Sequence, residues 1–232
     1  MTTTLKPTKK ALTERVMAPA ALAQEVLAQK KVVDRAHGCA TPSFQLVADT
    51  PAVFYQGTRI YFRPLESSDA SLLRRYLNHP EVWSTNVHRP PLSALCEHEW
   101  IESLGKNNTE YVFGIIIKEN DRLIGTTRLH QIDLVSRSAM LGICIGDVEY
   151  QNRGYGSEAL RLCLRYGFEE LNLNRIALSV YSHNWRAIRM YQRAGFVHEG
   201  CLRQAVFRHG QYHDEYRFAM LRDEWEQRDG TE

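Results

Sequence analysis

The sequence predicts a layered α/β domain in which helices flank a central sheet of mixed strand direction. Three features predict this class. From residue 58 onward the apolar residues follow both strand and helix periods, the two kinds of segment are interleaved, and two strand pairs are joined by short turns. The chain has 232 residues, 44% hydrophobic and 24% charged, which is typical of a globular protein with one sizeable domain.

The first predicted elements are a strand and two helices. TRIYFRPL alternates like a strand. SSDASLLRRYLNHPEV starts with helix-capping Ser and Asp and is predicted as a helix that runs to the region before Pro80. LSALCEHEWIESLGKN is predicted as a helix that ends at Gly105. Its apolar residues at helical spacing are Leu92, Leu95, Trp100, Ile101 and Leu104.

The remaining elements alternate between strands and helices. YVFGIIIKEND and RLIGTTRLHQI are predicted strands joined at the turn-like ENDR, and SAMLGICIGD is a third strand. A helix is predicted over 157–171, because Leu160, Leu164, Phe168 and Leu171 form one apolar face. The chain continues with the strand RIALSVYSHN, the short helix WRAIRMYQRAGF that stops at Gly195, and two long strands around the turn RHGQ.

Residues 1–56 differ from the rest and are predicted to be an N-terminal extension, partly helical or disordered. Their one candidate helix runs from Pro19 to Gly38 and carries only a thin apolar stripe. Such a stripe could dock on the main body or on another chain, so a homodimer is one assembly that we consider. The main domain is placed at 57–226 and a C-terminal tail at 227–232.

Charge and cysteine usage narrow the class of protein. The net charge of +2 argues against a dedicated nucleic-acid binder. No apolar run approaches the ~18 residues of a membrane span, and the N-terminus lacks the apolar core of a secretory signal. The five cysteines show no CxxC pair, which favours reduced thiols in the cytoplasm and no metal site.

The segment QNRGYG, residues 151–156, lies between a predicted strand and the predicted helix 157–171. Unpaired N–H groups at a helix start favour an anion, and Gly154 and Gly156 would let it approach the main chain. The segment lacks the Lys-Ser or Lys-Thr of a Walker loop and the third glycine of a dinucleotide loop. The third candidate anion is the diphosphate of coenzyme A. A tight turn that binds no ligand is the alternative interpretation.

Two segments together resemble the signatures of the GNAT superfamily of N-acetyltransferases. QNRGYG matches the acetyl-CoA loop Q/R-x-x-G-x-G/A, and NWRAIRMYQRAGF matches N-x-x-A-x-x-x-Y-x-x-x-G-F. RPLESSDASLLRRYLNHPEV, IGTTRLHQID and FAMLRDEW are similar to the branch that includes ribosomal-protein N-terminal acetyltransferases and spermidine acetyltransferases. The resemblance covers roughly 58–225. It implies the GNAT fold, with a mixed, mostly antiparallel central sheet flanked by helices.

The resemblance also implies the cofactor and its site. Acetyl-CoA would be the cosubstrate, and its diphosphate would bind backbone N–H groups of Gln151, Asn152, Arg153, Gly154, Tyr155 and Gly156. Ile143 and Ile145 would offer main-chain groups to the pantetheine arm, and Asn184 would bond the cofactor near that arm. Tyr191 would be the general acid, because a phenol can return a proton to the departing thiolate. From the residues alone, Asn184 is equally explained as a helix cap and Tyr191 as a core aromatic.

The acceptor is expected to be a primary amine that takes the acetyl group directly in a ternary complex. Many members of the branch carry a Glu early in the fourth strand, where this sequence has Met140. An α-amine of pKa ~8 needs less help to lose its proton than a lysine or polyamine of pKa ~10.4. A protein N-terminus is therefore expected first, and a polyamine, an amino acid or an antibiotic next.

Several residues that could serve the amine acceptor also have a purely structural interpretation. His130 is a substitute base or a structural histidine, and Cys144 is expected to pack rather than react. The carboxylates of Glu97, Glu99 and Glu102 either attract a cationic substrate or form a solvated face. A non-catalytic CoA-binding sensor or interaction module is the alternative to an enzyme. This alternative is disfavoured because the chain has both Tyr191 and the glycine segment, residues 151–156, and a scaffold needs neither.

Overall fold

A computed structural model describes residues 52–86, 91–106 and 109–229. Eight strands form one sheet in the order β1-β2-β3-β4-β5-β6-β8-β7. The strands are β1 (Tyr55–Gln56), β2 (Ile60–Arg63), β3 (Tyr111–Ile117), β4 (Arg122–Asp133), β5 (Ser138–Ile145), β6 (Arg175–Tyr181), β7 (Val197–Arg208) and β8 (Gln211–Leu221). All neighbouring pairs are antiparallel except β5 and β6. The predicted mixed, mostly antiparallel sheet is confirmed.

Six α-helices accompany the sheet in the described part of the chain. They are α1 (Ala70–Leu77), α2 (Pro80–Trp83), α3 (Ala94–Ser103), α4 (Tyr155–Arg165), α5 (Trp185–Ala194) and α6 (Arg222–Asp229). A 3-10 turn at Ser67–Asp69 leads into α1, and α4 continues into a π-helical turn at Tyr166–Glu170. Gly195 ends α5 in the left-handed conformation, as its sequence position predicted.

Two cores lie on opposite faces of the sheet. Successive residues of β2 show this, because Ile60 and Phe62 belong to one buried cluster and Tyr61 to the other. The larger cluster packs α4 against the sheet, and the smaller one packs α1 and α3 against its other face. The result is three layers, with the sheet in the middle.

The strands β5 and β6 separate along their length. They pair only where Ser138–Met140 faces Arg175–Ala177, yet β5 continues to Ile145 and β6 to Tyr181. The amide of Gly146 donates to Ile124 O at 2.9 Å, so alternation directs the main-chain groups of Ile143 and Ile145 away from β4 and into the gap. This gap positions the candidate site.

Three details differ from the sequence predictions. Leu95 was expected on the apolar face of α3 but is 64% exposed, whereas Glu97 is only 4% exposed. The helix α3 ends at Ser103 rather than at Gly105. The short helix α6, where only strand was expected, begins at Arg222; Glu224 Oε2 accepts the amide of Leu221 at 2.8 Å just before it.

The candidate helix over 19–38 lies outside the described residues. The sheet begins just before the predicted boundary at residue 57, and the three-part division of the chain stays a prediction. No helix among the described residues is long and apolar enough to cross a membrane. Within the same residues, no group of three or more His, Cys, Asp and Glu side chains could hold a metal ion.

Candidate active site

The segment 151–156 forms the turn from β5 into α4. Gly154 is the N-cap of α4 with a φ of 86°, and Asn152 is also left-handed with a φ of 59°. Among the described residues, the backbone N–H groups of 152–157 have no hydrogen-bond acceptor; the first amide of α4 with one is Glu158, which bonds Gly154 O at 3.1 Å. A row of free donors at a helix start fits a diphosphate.

Gln151 is placed differently from the rest of this segment. Its N–H already donates to Val148 O at 3.3 Å. Its side-chain Nε2 donates to Ile145 O at 2.8 Å and so ties the segment to the end of β5. The free main-chain donors therefore begin at Asn152, one residue later than the resemblance implies.

A buried carboxylate fixes the chain just before this segment. Asp147 is 4% exposed and accepts hydrogen bonds from the Tyr76 hydroxyl and from Arg122 Nε, each at 2.9 Å. Arg122 is also its ion-pair partner, with Nη2 2.6 Å from Asp147 Oδ2. Burial, followed by the Asp147 contact, raises the pKa of Tyr76 to about 12, so the phenol remains a donor. A Cβ on Gly146 would lie 2.6 Å from Tyr76 Cβ, which explains the glycine there. No motif in the sequence indicates this support, because Tyr76 and Asp147 are 71 residues apart.

Asn184 is the N-cap of α5 and Tyr191 lies within this helix, which follows β6 on the far side of the gap. Asn184 Oδ1 caps α5 by accepting the amide of Ala187 at 3.3 Å, so the capping interpretation is correct. Its Nδ2 has no acceptor among the described residues and is free for a ligand. Tyr191 is buried beside Phe196, and its hydroxyl has no hydrogen-bond partner in the described chain. Burial first, and the nearby Cys144 second, raise the pKa of Tyr191 above its usual range.

Cys144 connects the gap to the chain that follows α2. Asn86 Nδ2 lies 3.5 Å from Cys144 Sγ, and Asn86 O accepts Arg208 Nη2 at 2.7 Å. His183 Nε2 lies 3.0 Å from Ser84 O. Burial raises the pKa of Cys144 to about 11, so the thiol is not a nucleophile at neutral pH and its predicted packing role fits.

The face of β4 and β5 opposite α4 carries the residues considered for the acceptor. Met140 and His130 are direct partners across the two strands. Burial and the neighbouring Arg128 lower the pKa of His130 to about 4. The Arg128 side chain crosses Gly142, with its Nε 3.1 Å from where a Cβ would stand, and has no ion-pair partner among the described residues.

The three glutamates of α3 do not form one charged group. Glu97 is buried with no partner for Oε1 among the described residues, and burial raises its pKa. Glu99 is exposed, and exposed Glu102 lies 3.1 Å from His98 one turn away. A cluster that attracts a cationic substrate is therefore absent from the described part of α3.

Sequence comparison decides the family. Residues 59–197 match the acetyltransferase (GNAT) domain, which covers more than half of the chain. The chain belongs to the GNAT acetyltransferase family. It is an acetyl-CoA-dependent N-acetyltransferase, and the predicted recognition, enzyme class and cosubstrate are confirmed.

Two relatives and one solved structure illustrate what this GNAT acetyltransferase is similar to, and each is matched over nearly its whole length. An uncharacterised N-acetyltransferase, p20 of Bacillus licheniformis, is 32% identical over 171 residues, 72% of this chain and 95% of p20. Spermidine N(1)-acetyltransferase of Vibrio cholerae is 29% identical, over 72% of this chain and 96% of its own. The crystal structure of the Vibrio cholerae spermidine N-acetyltransferase in complex with CoA and spermine superposes with a TM-score of 0.67 at 29% identity, over 72% of this chain and 98% of that one.

Proposed function

We propose that this GNAT acetyltransferase transfers acetyl directly from acetyl-CoA to a primary amine while both are bound. The observation that carries the proposal is the continuity of the site. The free amides from Asn152 onward lie just after the end of β5, and the main chain of Ile143 and Ile145 in β5 faces the gap. Tyr191 of α5 lies near Cys144, which is also in β5. Acetyl-CoA supplies an acetyl group already activated as a thioester.

Each residue then has a defined task. The amides of 152–156 would hold the diphosphate, and the main chain of Ile143 would align the pantetheine arm and polarise the acetyl carbonyl by hydrogen bonding. Because its pKa is raised, Tyr191 stays protonated at neutral pH and can donate to the leaving sulfur. Asn184 Nδ2 would bond the arm from the other side of the gap.

The α-amino group of a peptide is the first acceptor that we propose. His130, with a pKa of about 4, is a weak base, and position 140 carries Met140 in place of the expected glutamate. A route through water therefore suits an amine of pKa ~8 better than one of ~10.4. The guanidinium of Arg128, which has no ion-pair partner in the described part of the chain, also disfavours a polycation on this face.

A polyamine is the second candidate acceptor. It is favoured by the relatives named spermidine N(1)-acetyltransferase and by the structural neighbour with spermine. A homodimer remains part of the proposal, and the mass of the particle in solution tests it.

Thiol release from acetyl-CoA tests the proposal. Three acceptors are compared. The first is a peptide that has a free N-terminus and no lysine, the second is the same peptide with its N-terminus acetylated and one lysine added, and the third is spermidine. We expect the highest kcat/KM with the free N-terminus. Faster turnover of spermidine would make the polyamine the acceptor. Tight CoA binding without release from any amine would favour the non-catalytic sensor.

A further inference from the structure

We propose that Arg59 is a positioning residue for the diphosphate of acetyl-CoA, acting by fixing the direction of the Gly154 backbone N–H. The inference rests on the proposed binding of acetyl-CoA at the start of α4. Arg59 precedes β2 and is 94 residues from Arg153, so no local pattern in the sequence connects it to the glycine segment.

One guanidinium contacts both the glycine segment and the first turn of α4. Its Nη1 donates to Arg153 O at 3.0 Å, and its Nε donates to Glu158 Oε2 at 3.0 Å. Its Cζ lies 4.5 Å above the ring of Tyr155. The fork geometry of arginine allows these contacts at once, which a lysine ammonium does not reproduce.

The bond to Arg153 O determines where the next amide points. A trans peptide unit is planar, so its C=O and N–H point in opposite directions. Because Arg59 holds the carbonyl of Arg153 on its own side, the N–H of Gly154 must project to the other side. The left-handed Gly154 then starts α4 with this donor free. Arg59 therefore organises the donor row without being part of it.

Arg59 also controls a competing charge. Glu158 lies in the first turn of α4, where a diphosphate would bind, and is 6% exposed. Its carboxylate accepts the amides of Arg59 at 2.7 Å and Ile60 at 3.3 Å besides the guanidinium. Burial raises the pKa of Glu158, but these hydrogen bonds outweigh burial and lower it, so the group is ionised. Without Arg59 this carboxylate would repel the bound diphosphate.

The chain offers a matched control at the other end of the same helix. Arg165 donates from Nε to the Tyr55 hydroxyl at 3.0 Å and from Nη2 to Gln56 O at 3.3 Å. Its Cζ lies 4.7 Å above the Tyr55 ring. Arg165 thus joins α4 to the first strands by similar contacts, but about 15 Å along the helix from Tyr155. Its loss should affect stability alone.

The test compares two acetyl donors, acetyl-CoA and S-acetylpantetheine, which has the same thioester and no diphosphate. Arg59→Ala should lower kcat/KM for acetyl-CoA by about 10- to 100-fold by raising KM. The reason is that the guanidinium no longer holds Arg153 O and Glu158, so the Gly154 N–H is no longer directed at the diphosphate. The kcat with acetyl-CoA should stay unchanged, and kcat/KM for S-acetylpantetheine should change by less than about twofold. Inhibition of the acetyl-CoA reaction by inorganic diphosphate should weaken by a similar factor. Arg165→Ala should leave all these quantities unchanged.

Arg59→Lys keeps the charge and loses the fork. We expect it to recover less than half of the loss in kcat/KM, and it provides the test if Arg59→Ala melts below the assay temperature. Equal losses with both donors, or full recovery with lysine, would overturn the role of Arg59. A wild-type enzyme that uses neither donor would instead refute the proposed function, so the two failures are distinguishable.

Discussion

The hydroxyl of Tyr76 lies 2.9 Å from Oδ2 of Asp147, and this bond joins α1 to the chain between β5 and the segment 151–156. Both side chains are buried, so Tyr76→Phe would remove a donor from a buried carboxylate. We expect a loss of about 1–3 kcal/mol in the free energy of unfolding, measured in urea. The KM for acetyl-CoA should rise as well.

Tyr61→Phe is the matched control for this change. Tyr61 lies in the same small core, but its hydroxyl bonds the exposed Asp121 at 3.1 Å. Its loss should cost less than about 1 kcal/mol, since Asp121 regains water as a partner. Equal costs for the two variants would contradict the role given to the buried bond.

Tyr191→Phe separates chemistry from packing. The change removes only the hydroxyl, so we expect kcat to fall by about 10²- to 10³-fold while the Kd of CoA stays within about twofold. Tyr166→Phe is the control, because Tyr166 is also buried with a raised pKa but packs against Phe113 of β3. Equal loss of kcat and of CoA affinity in Tyr191→Phe would show that Tyr191 only packs.

His130 should make the fold sensitive to mild acid. Its pKa is about 4 in the folded protein against 6.5 in the unfolded chain, because of burial and then Arg128. Between these values the unfolded state binds more protons, so the free energy of unfolding falls as pH falls from about 6.5 to about 4. His130→Gln should flatten this slope. The control His98→Gln, on the half-exposed side chain of α3, should keep it. An unchanged slope in His130→Gln would refute the assignment.

Gly154→Ala tests the left-handed start of α4. Gly154 has a φ of 86° and Gly210 a φ of 78°. Substitution of either by alanine should lower the free energy of unfolding by about 1–2 kcal/mol. Only Gly154 adjoins the proposed diphosphate, and its Cβ would lie 3.1 Å from Arg59 Nη2, whereas Gly210 has open space. The Kd of CoA, measured by calorimetry, should therefore weaken in Gly154→Ala and not in Gly210→Ala. Similar affinities in both variants would contradict the site.

Local sequence signals predicted most of the fold. Glycines in left-handed positions marked the start of α4 and the end of α5, and period-two alternation located β2. The face of α3 was wrong at Leu95, because burial there depends on how α3 lies against α1 and the sheet, which helical spacing does not contain. The burial of Glu97 was not predicted for the same reason, because helical spacing does not show which residues of α3 face the rest of the protein.

The candidate site was predictable only where its residues lie in one segment. Residues 151–156 and the Asn184–Tyr191 pair follow from short motifs, and the structure places them on either side of one gap. The supporting bonds from Arg59 to Glu158 and from Tyr76 to Asp147 join residues 99 and 71 positions apart. Only the folded topology brings such residues together, so no single segment could have revealed them.

The central claim is that main-chain amides at the start of α4 bind the diphosphate of acetyl-CoA. A crystal structure of the complex with CoA tests it most directly. We predict diphosphate oxygens at about 2.7–3.2 Å from backbone nitrogens within 152–156, with the pantetheine arm between β5 and β6. CoA bound with its diphosphate away from these nitrogens, or with side chains filling the turn, would contradict the account.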